Sequence, residues 1–263
     1  MNLNGKIAIV TGGSRGIGSA TSKLLAQRGA KVIVNYLSNE TAASSVVADI
    51  RTNGGEAVAF QADVREEAAV DALVQFTQAT FGAYADILVN NANIPFQFSP
   101  FAEASWEGFA LKVNEELKAA FLLTKAVLPS MIAQHTGRII YLSAGPGTYP
   151  MDGLIAHGTA KGALDTFARY IAHEFGPLGV TVNVIAPSLT ETDATAFLPE
   201  QVKQTFRSFT PLRRMGQPDD VAHVIAFLAS DDSRFLTGTY TPVDGGFTMD
   251  VYSRMDAPLP TAQ

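Results

Sequence analysis

The sequence predicts a single α/β domain with a doubly wound parallel sheet of six to seven strands and helices on both faces. Short apolar runs such as Ile7 to Val10 alternate with helix-like stretches along most of the 263 residues, as expected for buried parallel strands joined by helices. No linker-like run divides the sequence in two. We therefore expect one domain over residues 1–247, followed by a C-terminal tail over residues 248–263.

Composition narrows the classes of partner. The net charge of −6 argues against nucleic acid and against an anionic membrane surface. No apolar run is long enough to span a bilayer, and the first strand begins too early to leave room for a signal peptide. Cysteine is absent, and the four histidines (His135, His157, His173 and His223) lack metal-ligand spacing. We expect a cytoplasmic protein without a metal.

Apolar periodicity places the elements in order. Strands are expected at residues 7–10, 31–36, 57–61, 86–90, 138–143 and 180–186, with a last one near 241–246. Helices are expected at residues 19–29, 40–53, 63–81, 101–134, 154–175 and 219–229. The polar and aromatic segment 188–209 is expected to be a mobile loop that could cover a substrate.

A glycine turn follows the first strand, with the spacing Thr11-Gly12-x-x-x-Gly16-x-Gly18. Glycine permits positive φ and lets the backbone approach a phosphate closely. The next helix would point its free N–H groups at that phosphate. The turn therefore predicts a dinucleotide site, although an ordinary strand–helix turn is the alternative.

The second strand indicates which dinucleotide is bound. Enzymes that select NAD usually place Asp or Glu at its end, to hold the ribose 2′-hydroxyl. This position carries the neutral Asn35, and Arg15 in the glycine turn could pair with a 2′-phosphate. We therefore expect NADP, although Arg15 could simply be a solvated turn residue.

Further polar residues are expected near the cofactor and the reacting atoms. Asp63 could cap a helix or face the adenine, and Asn114 is a polar residue within an apolar helical stretch. His157 and Lys161 stand four residues apart, so they share one helix face. His157 could be a general acid or base or only a packing residue. Tyr149 could supply a phenol, but a place in the pocket wall is the simpler interpretation.

Over residues 3–247 the chain resembles the short-chain dehydrogenase/reductase family. The matches are the glycine turn, Asp63-Val64, Asn90-Asn91-Ala92, Asn114, Lys161, Pro187 with Thr192, and Val243-Asp244-Gly245-Gly246. The resemblance implies hydride transfer between a nicotinamide and a carbonyl or alcohol carbon. It assigns Asn114 and Lys161 to the catalytic machinery and implies a homo-oligomer, most often a tetramer. The implied cofactor contacts are Gly12, Ser14, Arg15, Gly16, Ile17, Gly18, Asn35, Asp63, Val64, Asn91, Ala92, Lys161, Pro187 and Thr192.

The sequence departs from the family at the proton-handling residues. His157 occupies the position of the catalytic Tyr, and Ala144 occupies that of the catalytic Ser. Ser143 is one residue early, so on a strand it would face the opposite side. Three functions remain open: an oxidoreductase that uses His157 as acid or base on a small, partly apolar molecule; an isomerase, dehydratase or cyclase on the same fold; and a catalytically silent NADP-binding protein.

Overall fold

The chain forms one seven-stranded parallel sheet with helices on both faces, and the predicted fold class is confirmed. The computed structural model describes residues 1–249, so most of the predicted tail lies outside the described residues. The strands are β1 (Ile7–Val10), β2 (Lys31–Tyr36), β3 (Glu56–Gln61), β4 (Ile87–Asn90), β5 (Gly137–Leu142), β6 (Val180–Pro187) and β7 (Tyr240–Val243). Their order across the sheet is β3-β2-β1-β4-β5-β6-β7.

Seven α-helices connect and cover the strands in the described part of the chain. They are α1 (Gly16–Gln27), α2 (Glu40–Thr52), α3 (Glu67–Phe81), α4 (Trp106–Ala133), α5 (Ile155–Phe175), α6 (Glu200–Phe209) and α7 (Pro218–Leu228). Within residues 1–249 no helix is long and apolar enough to cross a membrane.

The inner strand β1, which lies between β2 and β4, explains why the first apolar run is so uniform. Its four residues are all buried, and they alternate between two cores. Ala8 and Val10 contribute to the core beneath α1, α2 and α7, whereas Ile7 and Ile9 contribute to the core beneath α3, α4 and α5. The strand order reverses between β1 and β4, and ligands of open α/β sheets bind at the carboxyl ends beside such a reversal.

Three helices begin three or more residues away from their predicted start. Helix α1 begins at Gly16 inside the glycine turn. Helix α3 begins at Glu67 rather than at Asp63, because Asp63 instead accepts the backbone N–H of Arg65 at 3.0 Å and closes a turn. Helix α4 begins at Trp106, where the Ser105 hydroxyl accepts the Gly108 N–H at 3.1 Å.

The segment predicted to be a mobile loop contains a helix. Helix α6 (Glu200–Phe209) has no fully buried residue. None of its apolar residues is fully buried, and the mainly polar sequence of the segment did not predict a helix. The segment lies over the carboxyl end of the sheet, where Thr190 forms an isolated bridge with Gly216.

Candidate active site

The glycine turn between β1 and α1 is closed so tightly that only glycine fits at its centre. A Cβ atom at Gly18 would lie 2.1 Å from the Gly12 carbonyl oxygen and 2.6 Å from the Asn91 side-chain amide. Gly12 and Gly16 have φ of +59° and +50°, a region that favours glycine. The turn leaves its backbone open beside the start of α1, which suits a phosphate group.

Asn91 and Thr11 fasten this turn to the end of β4. Asn91 Nδ2 donates to the Thr11 and Gly12 carbonyl oxygens at 2.8 and 3.1 Å. The Thr11 hydroxyl accepts the backbone N–H groups of Asn91 and Ala92, both at 3.0 Å. Asn91 and Ala92 therefore border the predicted cofactor region, but the Asn91 side chain shapes the turn rather than pointing freely at a ligand.

Arg15 and Asn35 have different environments, although both were predicted to select NADP. Arg15 is exposed at the start of α1, and its side chain makes no capping hydrogen bond. Asn35 is only 2% exposed, and its Nδ2 donates to the Ala62 carbonyl at 3.1 Å. The Asn35 side chain therefore points into the fold, and its backbone carbonyl accepts the Gly13 N–H at 2.8 Å. Its assignment as a cofactor contact stays a prediction.

Asp63 and Val64 follow β3 at the same edge. Asp63 forms a bidentate pair with Arg65, at 2.8 Å to Nε and 2.6 Å to NH2. That pairing with Arg65, which outweighs the effect of burial, lowers the pKa of Asp63. Asp63 is therefore ionised at neutral pH. Val64 is 5% exposed and packs into the core.

The segment after β6 reaches the glycine turn from the other side. Pro187 ends β6, where it pairs with Val243. Thr192 contacts the turn, because a Cβ atom at Gly16 would lie 3.1 Å from Thr192 Cγ2. Ser14 and Ile17 are half-buried beside the same turn. The predicted cofactor residues therefore converge from β1, β4 and β6.

His157 lies in the first turn of α5 and is largely enclosed. The Phe96 ring stacks on the imidazole, with 4.5 Å between centroids and 16° between planes. His157 Nδ1 is buried, with no hydrogen-bond partner among residues 1–249. Burial, and then the charges of Lys161 and Lys112, lower the pKa of His157 to about 3. The imidazole is therefore neutral at pH 7.

Lys161 lies one helical turn after His157 and is 4% exposed. Its Nζ donates to the Leu142 carbonyl at 2.7 Å and to Glu116 Oε1 at 2.5 Å. The Leu142 carbonyl belongs to the carboxyl end of β5, so the contact fixes Lys161 at the edge where the cofactor residues converge.

The prediction that Asn114 is the buried α4 residue of the site is wrong. Asn114 is exposed, whereas Glu116 is 5% exposed and reaches Lys161. Side chains two positions apart on an α-helix are separated by about 200° around its axis. Asn114 and Glu116 therefore face nearly opposite directions. Glu116 also pairs with the fully buried Lys112, at 2.6 Å. Burial opposes the ionisation of Glu116, but both lysines outweigh it and lower its pKa to about 2.

Sequence reasoning missed both Lys112 and Glu116. The available signal was their spacing of four residues, which predicts a shared helix face. Such pairs are usually solvated, so the spacing alone does not indicate burial.

Ser143 and Ala144 follow β5 directly at the carboxyl edge of the sheet. Ala144 is half-buried, while Ser143 is 6% exposed and lies beside Asp165 of α5. Burial raises the pKa of Asp165. Ser143 therefore belongs to a polar group behind the site.

An aromatic wall forms where the segment 188–209, which includes α6, meets the short turn Phe247–Met249. Phe206 of α6 stacks on Phe247 at 5.4 Å, and Tyr149 lies 5.9 Å from the same ring. The Tyr149 hydroxyl packs against Gly145, where a Cβ atom would lie 2.0 Å from it. Phe98 and Phe197 are 67% and 80% exposed.

The family is established by comparison with known proteins. The profile described as Enoyl-(Acyl carrier protein) reductase matches residues 12–248. The chain belongs to the short-chain dehydrogenase/reductase family. It is 41% identical over 249 residues to 3-oxoacyl-[acyl-carrier-protein] reductase of Synechocystis sp., covering 94% of this chain and 98% of that protein.

Two further comparisons agree. The chain is 36% identical over 249 residues to the 2,5-dichloro-2,5-cyclohexadiene-1,4-diol dehydrogenase LinX of Sphingobium indicum, covering 95% of this chain and 98% of LinX. Its fold matches the crystal structure of gox2181 with a TM-score of 0.88 and 32% identity, covering 94% of this chain and 97% of that one.

Proposed function

We propose that this protein is an NADP(H)-dependent oxidoreductase that acts on a carbonyl or alcohol, or on an imine or amine, of a small, partly apolar molecule. His157 takes the place of the usual Tyr as acid or base. The observation that carries this proposal is the placement of His157 and Lys161 on one face of α5, with Lys161 Nζ held at 2.7 Å from the Leu142 carbonyl. This pair lies at the sheet edge where the cofactor residues converge.

The residues present fit a dinucleotide. The turn around Gly12, Gly16 and Gly18 leaves space that a Cβ atom would fill, and Arg15 is free to pair with a 2′-phosphate. Residues 35–39 contain no carboxylate to repel that phosphate. When bound, NADP would accept or supply a hydride.

The chain's own residues favour proton removal over proton donation. With a pKa of about 3 the imidazole carries no imidazolium proton to donate at pH 7; it is in the proton-accepting form, although this pKa makes it a weak base. Ala144 offers no hydroxyl to a substrate oxygen. The site therefore suits oxidation of an alcohol or amine, or reduction of an iminium that needs no proton from the protein. Phe206 and Phe247 supply apolar surface for the substrate.

The test follows NADPH absorbance with carbonyl, alcohol, imine and amine substrates in both directions. His157→Gln preserves the approximate shape of the side chain and should lose most of the activity. Conversion of a substrate without net change in NADPH would favour the isomerase, dehydratase or cyclase alternative. NADPH binding without any conversion would favour a silent binding protein. The relatives compared above carry the names of a reductase and a dehydrogenase, which supports the redox function.

We also propose a homo-oligomer, with a tetramer as the expected state. Large apolar side chains are exposed on the two long helices: Trp106, Leu111 and Phe121 on α4, and Ile155 and Tyr170 on α5. Exposed apolar side chains on two long helices that pack against each other support an interface between copies of the chain. A cytoplasmic location remains a prediction.

A further inference from the structure

Three buried charged side chains form a continuous unit behind His157. Lys112 and Glu116 of α4 and Lys161 of α5 have side chains that are 0%, 4% and 6% exposed. Glu116 Oε2 accepts from Lys112 Nζ at 2.6 Å, and Glu116 Oε1 accepts from Lys161 Nζ at 2.5 Å. We call this group the Lys–Glu–Lys triad.

The two lysines of the triad have different remaining capacity for hydrogen bonds. Lys112 donates to Glu116, to Asn93 Oδ1 at 2.8 Å and to the Ile94 carbonyl at 2.7 Å. An ammonium has three N–H groups, so Lys112 is fully used. Among the described residues Lys161 donates only to Glu116 and to the Leu142 carbonyl. Lys161 therefore keeps one N–H for a ligand, whereas Lys112 keeps none.

The triad carries a net positive charge, because two ammonium groups share one carboxylate. Without Lys112, Glu116 and Lys161 would form a neutral pair. Without Glu116, two buried ammonium groups would repel each other, and such uncompensated charges are strongly unfavourable. Lys112 therefore decides whether the wall of the site is charged or neutral.

We propose that Lys112 is a positioning residue: through Glu116 it holds the Lys161 ammonium at the Leu142 carbonyl, and it gives the site one net positive charge beside His157. This inference rests on the proposed function, because it takes His157 and Lys161 as the reacting groups. The Phe96 ring that stacks on His157 also lies 5.3 Å from Lys112 Nζ. A positive wall stabilises negative charge that develops on a substrate oxygen when no hydroxyl donor is present.

Within residues 1–249, three charged side chains act on His157. Lys161 on α5 and Lys112 on α4 oppose its protonation, and Glu116 on α4 favours it. Asp165 lies beside Lys161 one turn further along α5. Burial, opposed by Glu116, lowers the pKa of Lys112 to about 8. The charge of the triad should therefore decline in mildly alkaline solution.

The test compares wild type, Lys112→Met and Lys118→Met by NMR titration of the His157 imidazole without cofactor. Lys118 is a matched control, since it lies on the same helix with a side chain that is 46% exposed. Lys112→Met should raise the pKa of His157 by about 1, because a neighbouring positive charge is removed. Lys118→Met should leave it unchanged. If the pKa of His157 is unchanged in a folded Lys112→Met variant, the inference is overturned.

A second variant tests the triad from its other end and predicts a shift of the opposite sign. Glu116→Gln removes the carboxylate that favours protonation, so His157 should titrate at lower pH than in the wild type. Loss of structure would instead move His157 toward the ordinary histidine value of about 6.5. A titration of Glu116→Gln at higher pH in the folded protein would contradict the inference.

Turnover gives an independent measurement once a substrate is known. Lys112→Met should lower kcat about tenfold at an unchanged Kd for NADPH, and Lys112→Arg should restore part of it. The wild-type rate should fall above about pH 8, and this alkaline limb should be absent in Lys112→Met. If no substrate is ever converted, the proposed function fails, but the NMR titration still decides the role of Lys112.

Discussion

The Phe96 ring lies nearly parallel to the imidazole of His157, with 4.5 Å between their centroids. This stacking covers one face of the imidazole that we propose as the acid or base. An aromatic cover removes water from the imidazole, so the charged form of His157 loses hydration. The electrostatic state of the site therefore depends on a residue that carries no charge.

His157 should not titrate between about pH 5 and pH 8 in the folded protein, because its pKa is lowered to about 3. The unfolded chain binds this proton near pH 6.5, so the unfolded state holds more protons between about pH 3 and pH 6.5. The free energy of unfolding should fall as the pH drops through that window and should not depend on His157 above it. Denaturant unfolding at several pH values would measure this.

Three variants control that result. His157→Gln should reduce the dependence of the unfolding free energy on acid pH. Phe96→Ala should raise the pKa of His157, and Phe98→Ala, which removes a ring that is 67% exposed, should not. A His157 signal that titrates near pH 6.5 in the wild type would contradict the described packing.

Arg15 should confer the cofactor preference. NADPH should bind at least about tenfold more tightly than NADH, since a charge-assisted pair contributes about 1.5–3 kcal/mol. Arg15→Ala should remove the preference for NADPH without weakening the binding of NADH. Calorimetric titration with both nucleotides measures it, and equal dissociation constants in the wild type would end the idea.

Gly18→Ala should abolish tight cofactor binding. Its Cβ atom would lie 2.1 Å from the Gly12 carbonyl oxygen, and relieving such a contact costs about 1–3 kcal/mol through backbone movement. Gly176→Ala is the matched control, because Gly176 has no atom within 4 Å of a built Cβ and has φ of −53°. Calorimetry with NADPH should separate the two variants, and similar dissociation constants would show that the turn is not the phosphate site.

If Ala144 and His157 stand at the family's Ser and Tyr positions, as we propose, restoring both residues should raise reduction of simple activated ketones. Ala144→Ser and His157→Tyr would act on the same substrate oxygen, so the double variant should gain more than the two single variants together. The rate of NADPH consumption measures this. No gain in a double variant that still binds NADPH would mean that the shape of the pocket limits the reaction.

The exposed apolar faces of α4 and α5 should be buried in an assembly. Light scattering at micromolar concentration should give the mass of a tetramer. Phe121→Asp, on the exposed side of α4, should reduce that mass, whereas Lys118→Met should not. A monomeric mass in the wild type would contradict the proposed assembly.

Strand-level features were predictable because burial on both faces leaves a simple signature. The run from Ile7 to Val10 and the glycine turn after it could be located from the sequence, and β1 occupies the predicted residues. The glycine spacing was enough to predict a phosphate-binding turn. The structure adds the reason for Gly18, whose backbone packs against the Gly12 carbonyl.

The residues that α4 contributes to the site could not be predicted, because the sequence does not show which of its polar residues face the core. Asn114 looked like the buried polar residue among apolar neighbours, but Glu116 is the one that faces α5. This helix of 28 residues is partly covered by neighbouring elements on more than one side. Its apolar pattern therefore does not predict clearly which side faces the core. Only the distance between Glu116 and Lys161, which are 45 positions apart in sequence, reveals which side is inward.

Trp106 gives the protein a built-in optical probe. It is the single tryptophan of the chain, its surface is 72% exposed, and its ring lies 5.7 Å from that of Phe109 at the beginning of α4. Intrinsic emission therefore originates from one known place instead of an average over the fold. A shift of that emission to shorter wavelength on concentration would report contact at this end of α4, without any label.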